Sequence, residues 1–167
     1  MSGRQNVAGT GAGADAPCKA LPLRYNAPMP IRRIAVYLWA GPTTCIGLVL
    51  VILAITSGGS ARVVDGVIEA EGGLVEIFLR RIVGLWLPGG ASAMTLGHVV
   101  IARNRACHDR TRAHERVHVR QCQRWGPLFL PAYLAASAAM FLMRKNAYRD
   151  NPFEREAFSQ AGPVSRD

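Results

Sequence analysis

The chain has 167 residues, half of them hydrophobic, and its 20 basic side chains outnumber 11 acidic ones, which gives a net charge of +9. This length predicts a single domain, and the four cysteines show no spacing typical of a disulfide framework or a cysteine zinc site. The hydrophobic residues are concentrated in two long blocks, as in membrane proteins. Anionic lipid headgroups are therefore a better partner for the excess of arginine than nucleic acid.

The N-terminal region divides into a tail and an apolar run. Residues 1–28 are rich in Gly, Ala and Pro and are predicted to be disordered, and Met29 offers an alternative start that would make them a start-site artefact. Residues 34–55 carry no charge, and as a helix they are about 33 Å long, enough for a hydrocarbon core of about 30 Å. We therefore predict a transmembrane helix within residues 29–57. A signal peptide is the rival interpretation, but its apolar part spans only about 7–15 residues.

Residues 58–167 are predicted to form the folded domain. The Asp65-Gly66 pair between β-branched residues predicts a β-hairpin within residues 58–73. Residues 74–87 have a helical period, and residues 94–102 are apolar and partly β-branched, which predicts one strand. The fold class expected is mainly α with a small β element (α+β).

The second apolar block, residues 127–143, is 17 residues long, at the short end for a spanning helix. We predict a packed or membrane-embedded helix that does not cross the bilayer. Residues 104–112 form a predicted polar connection before a helix that starts near Thr111. Asn151 followed by Pro152 predicts the start of a last helix, with Asn151 as its cap.

Residues 114–118 read His-Glu-Arg-Val-His, the HExxH pattern. On a helix, His114 and His118 project from one face and can bind one Zn²⁺ together. Glu115 is then next to the metal and can act as a general base on a water molecule. The alternative is an exposed polar helix with two ordinary histidines.

Arginines recur every four residues along the same predicted helix, on the side broadly opposite the histidines, at positions 112, 116, 120 and 124. No aromatic residues interleave them, so this stripe favours contact with water or headgroups over nucleic acid.

The chain resembles the gluzincin-type zinc metallopeptidases, which carry HExxH on one helix and a glutamate on a later one, often within ExxA. Residues 154–157 read Glu-Arg-Glu-Ala and match that second motif, so the resemblance nominates Glu154 as third ligand. The motif also extends to HExxHxxQ through Gln121, as in small bacterial membrane-associated HExxH proteins. The aspartate that often follows ExxA is Phe158 here, which leaves one histidine without an assigned partner. The resemblance covers roughly residues 94–160 and implies a minimal zincin-like helical domain.

Four further residues are weaker candidates for the site. Glu156 is the second carboxylate of the ExxA region. His98 and His108 lie upstream of the motif, on the same side of the second apolar block as the motif itself. Tyr148 precedes Glu154 closely enough to be an additional oxyanion donor.

The function expected is that of a membrane-anchored zinc metallopeptidase, which hydrolyses peptide bonds with a zinc-bound water and a glutamate base. Its partners would be membrane lipids and a peptide or protein substrate. The basic residues Arg32 and Arg33 before the apolar run favour a cytoplasmic N-terminus and an exported catalytic side in the plasma or inner membrane. The alternatives are a non-catalytic zinc-binding protein and a small membrane protein that acts by lipid or protein contact.

Overall fold

The computed structural model of the protein describes residues 30–162, except Trp86 and Pro88. The predicted tail, residues 1–28, lies outside this range. The helices are α1 (Pro30–Trp39), α2 (Gly41–Thr56), α3 (Gly73–Ile77), α4 (Arg105–Trp125), α5 (Phe129–Leu142) and α6 (Pro152–Ala161). The strands are β1 (Ser60–Val64), β2 (Val67–Glu71), β3 (Ala93–Leu96) and β4 (Val99–Ala102). The described part is mostly helical with one small sheet, which confirms the α+β class.

The four strands form one sheet in the order β1-β2-β4-β3. Strands β1 and β2 form the predicted hairpin, in which Val64 pairs with Val67 across the Asp65-Gly66 turn. Both turn residues have positive φ, as a tight hairpin turn requires. Strand β2 pairs in parallel with β4, and β3 lies at the edge of the sheet.

The prediction of one strand over residues 94–102 is wrong. The chain turns at Gly97 and His98, so that β3 and β4 are antiparallel and Leu96 pairs with Val99. Gly97 has φ of +65°, and a Cβ there would lie 2.6 Å from the backbone nitrogen of Thr44. Only glycine fits this turn, but the apolar residues on both sides of it conceal the turn in the sequence.

Helices cover both faces of the sheet. Val99 and Ile101 of β4 belong to a buried cluster with Val51 of α2. Val100 points the opposite way and packs with Val119 of α4. Every residue of β4 is therefore buried, as expected for a central strand with a helix on each face.

The predicted transmembrane helix over residues 34–55 is two helices in the structure, α1 and α2, separated by a turn at Ala40. Pro42 is in the first turn of α2, where proline is tolerated. The 16 residues of α2 give about 24 Å, which is short of the hydrocarbon core. One side of α2 is buried against the sheet, while Ile52 on its other side is 62% exposed. Part of the α2 surface that was predicted to contact lipid therefore packs against the sheet instead.

One helix among the described residues, the continuous stretch Arg105–Leu142, is long and apolar enough to cross a membrane, a criterion that a core helix of a soluble protein also meets. Its apolar part is α5, in which half of the residues are exposed and Phe129 alone is buried. Asn151 donates hydrogen bonds to Tyr133 O and Ser137 Oγ, so the chain returns to the middle of α5 soon after that helix ends. In this structure α5 therefore does not separate Glu154 from His118.

Two helix starts bear on the site. The predicted polar connection over residues 104–112 is wrong, because α4 begins at Arg105 and the Asn104 side chain caps it by accepting from Cys107 N. Asn151 caps α6 by accepting from Phe153 N, with Pro152 as the first helical residue, as predicted. The predicted helix over residues 74–87 is present as α3, a π turn and a 3-10 turn that together end at Leu85.

A substitution at Gly47 tests how closely α2 packs on the sheet. A Cβ at Gly47 would lie 2.6 Å from Val99 Cβ, whereas at Gly41 it would meet nothing within 4 Å. We expect Gly47→Ala to lower the free energy of unfolding by about 1–3 kcal/mol, although alanine favours helix. The control Gly41→Ala should be neutral or stabilising. Chemical denaturation measures both, and equal stabilities would contradict this packing.

Candidate metal centre

The HExxH residues lie in the middle of α4, on the side that faces α6. His114 is 3% exposed and His118 is 6% exposed, and their Nε2 atoms are 3.1 Å apart. The four-residue spacing brings both rings to one face of the helix. The motif is thus helical and buried, which disagrees with the alternative of an exposed polar helix.

Glu154 completes a group of three with these histidines. It is 3% exposed in the first turn of α6, and its Oε2 lies 3.1 Å from His114 Nε2. Its Oε1 lies 3.3 Å from His118 Nε2. One possible ligand atom from each residue falls within 4.8 Å of the others. The structure therefore brings together the three residues predicted as ligands.

The distances in this group fit a zinc ion. In a tetrahedral site with bonds of about 2.0–2.1 Å, two ligand atoms lie about 3.3 Å apart. The separations between Nε2 and Nε2, and between Nε2 and carboxylate oxygen, are 3.1–3.3 Å. Two imidazoles and one carboxylate are also a donor set typical of catalytic zinc.

The same side chains can also interact as an ion pair. Burial alone raises the pKa of Glu154, but hydrogen bonds from His114 and His118 more than offset this and hold the pKa at about 2. Burial likewise lowers the pKa of His118, while the bond to Glu154 and the charge of Glu115 raise it to about 9. A proton and a metal ion therefore compete for the ring nitrogens of this group.

Glu115, the predicted general base, is 6% exposed and is held by a residue that sequence reasoning did not select. Thr95 Oγ1 donates to Glu115 Oε2 at 2.7 Å. Thr95 lies on edge strand β3, so this bond connects the HExxH helix to the edge of the sheet. This contact between Thr95 and Glu115 could not be predicted from the sequence, because the turn between β3 and β4 was not predicted.

The second nitrogen of His114 has no polar partner among the described residues. Its Nδ1 is buried without a hydrogen bond, and the ring of Phe158 packs 4.7 Å from the His114 ring. Phe158 occupies the position where the gluzincin pattern has an aspartate. Most histidine ligands donate this second N–H to a carboxylate or carbonyl group, so the His114 ring lacks an orienting bond that metal-binding histidines usually have.

Two tyrosines lie beside Glu154. Tyr133 on α5 donates its hydroxyl hydrogen to Glu154 Oε1 at 2.7 Å, a contact that sequence reasoning missed. The only available signal was that Tyr133 lies four residues after Phe129, on the same side of a helix. Burial and, after it, the charge of Glu154 raise the pKa of Tyr148. Its ring lies 6.0 Å from that of Phe158, which packs against His114, so Tyr148, a weaker candidate, is close to the ligand group.

The other weaker candidates lie outside the group. His98 stacks on Tyr37 with ring centroids 4.2 Å apart and lies 3.1 Å from Gln123 Nε2. His108 Nε2 lies 3.0 Å from Ala70 O on β2. Glu156 interacts with Gln121 and Arg124. The group of possible ligands among the described residues includes none of these three candidates.

The arginine stripe of α4 is not simply a solvated face. Arg112 donates twice to the buried carboxylate of Glu69 on β2, at 2.9 and 3.1 Å. Burial raises the pKa of Glu69, but Arg112, then the charge of His108 and a hydrogen bond from Arg62, lower it to about 2. Arg116 bonds Val64 O, and Arg120 bonds Gln160 of α6. The periodicity of the arginines does not reveal these partners, because they lie on other elements far away in the sequence.

The buried His98 predicts a pH dependence of stability. Burial lowers its pKa below the usual 6.5, so the unfolded chain binds this proton more readily. Its contribution to stability is complete above pH 6.5 and is lost as the pH falls towards the lowered pKa. We expect the free energy of unfolding of chelator-treated protein to fall between about pH 7 and pH 5, and to fall less in His98→Asn. Parallel profiles for both proteins would contradict this.

Comparisons with protein-family models, curated proteins and solved structures found no match to this chain.

Proposed function

We propose that this protein is a membrane-associated zinc metallopeptidase in which His114, His118 and Glu154 hold the metal. The observation that carries the proposal is the convergence of their ligand atoms at 3.1–3.3 Å, from α4 and α6, with His114 and Glu154 40 residues apart in sequence. Among the described residues no fourth His, Cys, Asp or Glu joins them. That donor set favours a catalytic site with an open position over a closed structural site.

A bound zinc ion would act as a Lewis acid towards a peptide carbonyl and lower the pKa of water. Glu115 supplies the base. Its carboxylate takes the proton of the attacking water and delivers it to the nitrogen of the leaving amine. The hydrogen bond from Thr95 Oγ1 orients that carboxylate. Tyr148, whose ring lies 6.0 Å from that of Phe158, is the further candidate donor to the substrate carbonyl oxygen.

The substrate class is an extended peptide. Strand β3 is at the edge of the sheet, and its Thr95 contacts Glu115. An edge strand offers unpaired backbone groups to which a peptide can add as another strand. A peptide paired with β3 would therefore run close to the base.

Cleavage of a mixture of synthetic peptides, read by mass spectrometry, tests the activity. Purified protein should generate new peptide termini, a chelator should stop this, and added zinc should restore it. If zinc-loaded protein leaves a broad peptide mixture intact, the proposed activity fails.

Membrane attachment is supported by apolar side chains at the protein surface. On α5, Phe141 is 72% and Leu142 is 80% exposed. The exposed basic residues Arg144 and Lys145 follow after Met143 and match anionic headgroups in charge. The outer side of α2 adds further exposed apolar residues. The occupant of this surface is the lipid bilayer.

Flotation with anionic phospholipid vesicles tests the attachment. Wild-type protein should float with the vesicles. Phe141→Glu combined with Leu142→Glu should bind less, because charges are costly in lipid. Val63→Glu is the matched control, since Val63 is equally exposed but lies on β1. Protein that stays soluble without detergent and does not float would contradict membrane association.

A further inference from the structure

Gln121 is a fully buried amide one helical turn after His118. Its Oε1 lies 2.8 Å from His118 Nδ1. Its Nε2 donates to Phe153 O at 3.0 Å and to Glu156 Oε2 at 2.9 Å. Both N–H groups of the amide are thus used, and both have acceptors on α6.

These acceptors determine the orientation of the amide. A flipped amide would place Oε1 against a carbonyl oxygen and a carboxylate oxygen, neither of which has a proton to donate. Oε1 therefore faces His118, and the hydrogen of this contact must be on Nδ1. To bind a metal the ring must be neutral, with one N–H, so with that hydrogen on Nδ1 the Nε2 keeps a free lone pair. Nε2 is the atom that faces His114 and Glu154.

The same amide also holds α6 against α4. Phe153 immediately precedes Glu154, so the bond to its carbonyl fixes the first turn of α6 beside the ligand group. Glu156 is held in turn by Arg124 at 3.4 Å and by Gln160 Nε2 at 3.1 Å. The acceptor that orients Gln121 is therefore itself oriented.

We infer that Gln121 is a positioning residue of the metal centre, which fixes the Nδ1–H form of His118 and keeps Glu154 in register with the histidine pair. This inference rests on the proposed function, since it assumes that the group binds zinc. It assigns Glu156, a weaker ligand candidate in the sequence, to the support of Gln121.

Substitution of Gln121 by methionine tests the inference, because methionine is of similar length and provides no strong acceptor. Zinc affinity is measured on the full chain in detergent by competition with a chromogenic chelator. Gln121→Met should bind zinc about 10- to 100-fold more weakly. The matched control is Gln123→Met on the same helix, since Gln123 contacts His98 and none of the ligands. Its zinc affinity should equal that of wild type.

A spectroscopic measurement separates positioning from general stability. In ¹⁵N-histidine spectra of the zinc-loaded protein, the Nδ1–H proton of His118 should be protected from exchange with water. In Gln121→Met it should exchange rapidly, because its acceptor is gone. The ring proton of His98 is the internal reference and should behave alike in both proteins.

If Gln121→Met does not fold, exchanging the amide of Gln121 and the carboxylate of Glu156 provides a second test. Gln121→Glu alone places two carboxylates against each other. Together with Glu156→Gln it restores the bond between positions 121 and 156, with Nδ1 of His118 still bonded, while the bond to Phe153 O is lost in both variants. The double variant should therefore bind zinc more tightly than Gln121→Glu.

The outcomes are distinguishable. If wild type binds zinc and Gln121→Met binds it equally tightly with a protected Nδ1–H, the inference is overturned and the proposed function stands. Equal affinities of Gln121→Glu and the double variant would overturn it as well. Wild-type protein that takes up no zinc would remove the proposed function, and this inference with it.

Discussion

Glu115→Gln is expected to abolish peptide hydrolysis while the protein keeps its zinc. The amide has nearly the shape of the carboxylate but cannot take a proton from water, so kcat should fall by about 10²- to 10⁴-fold. Zinc content should stay unchanged because Glu115 is outside the ligand group. Turnover of a cleavable peptide and metal content are measured on the same preparation.

Asp109→Asn is the matched control for this substitution, since it makes the same change at an exposed site on the same helix. It should leave turnover unaltered. A Glu115→Gln variant that cleaves peptides as fast as wild type would remove Glu115 as the base. A variant that loses its zinc would make Glu115 a ligand instead.

Glu154→Gln is expected to weaken zinc binding by more than about 100-fold, since loss of a ligand should exceed the 10- to 100-fold cost of losing an outer partner. An amide oxygen has no charge to offer the ion, whereas the carboxylate of Glu154 faces both histidines. Chelator competition on the purified protein measures the affinity.

Glu156→Gln distinguishes the role of Glu156 from that of Glu154, the other carboxylate of α6. Glutamine at this position still has an oxygen that can accept from Gln121, so zinc affinity should change by less than about 10-fold. If Glu156→Gln loses zinc and Glu154→Gln keeps it, the assignment of the third ligand is reversed.

The ligand group was largely predictable because each part of it is a local pattern. The spacing of His114 and His118 on a helix requires nothing beyond residues 111–125. Glu154 came from a short motif and a helix start that Asn151 caps as expected. Both signals are local, because spacing and caps act within one helix, although the equally local cap of α4 at Asn104 was missed.

The parts that sequence reasoning missed depend on contacts between distant elements. The turn at Gly97 is concealed within an apolar run, so the contact between Thr95 and Glu115 could not be foreseen. The bond from Tyr133 to Glu154 depends on the direction in which α5 leaves α4. Likewise, hydrophobicity alone does not distinguish a face that packs on a sheet from one that meets lipid, as in α2.

Metal analysis of the purified wild-type protein tests the central claim most directly. After reconstitution and removal of free metal, we expect about one zinc per chain, with nitrogen and oxygen neighbours at about 2.0–2.1 Å and no sulfur in X-ray absorption spectra. His118→Ala should retain none. Wild-type protein that cannot be loaded with zinc, or that binds it equally well after His118→Ala, would contradict a metal centre at His114, His118 and Glu154.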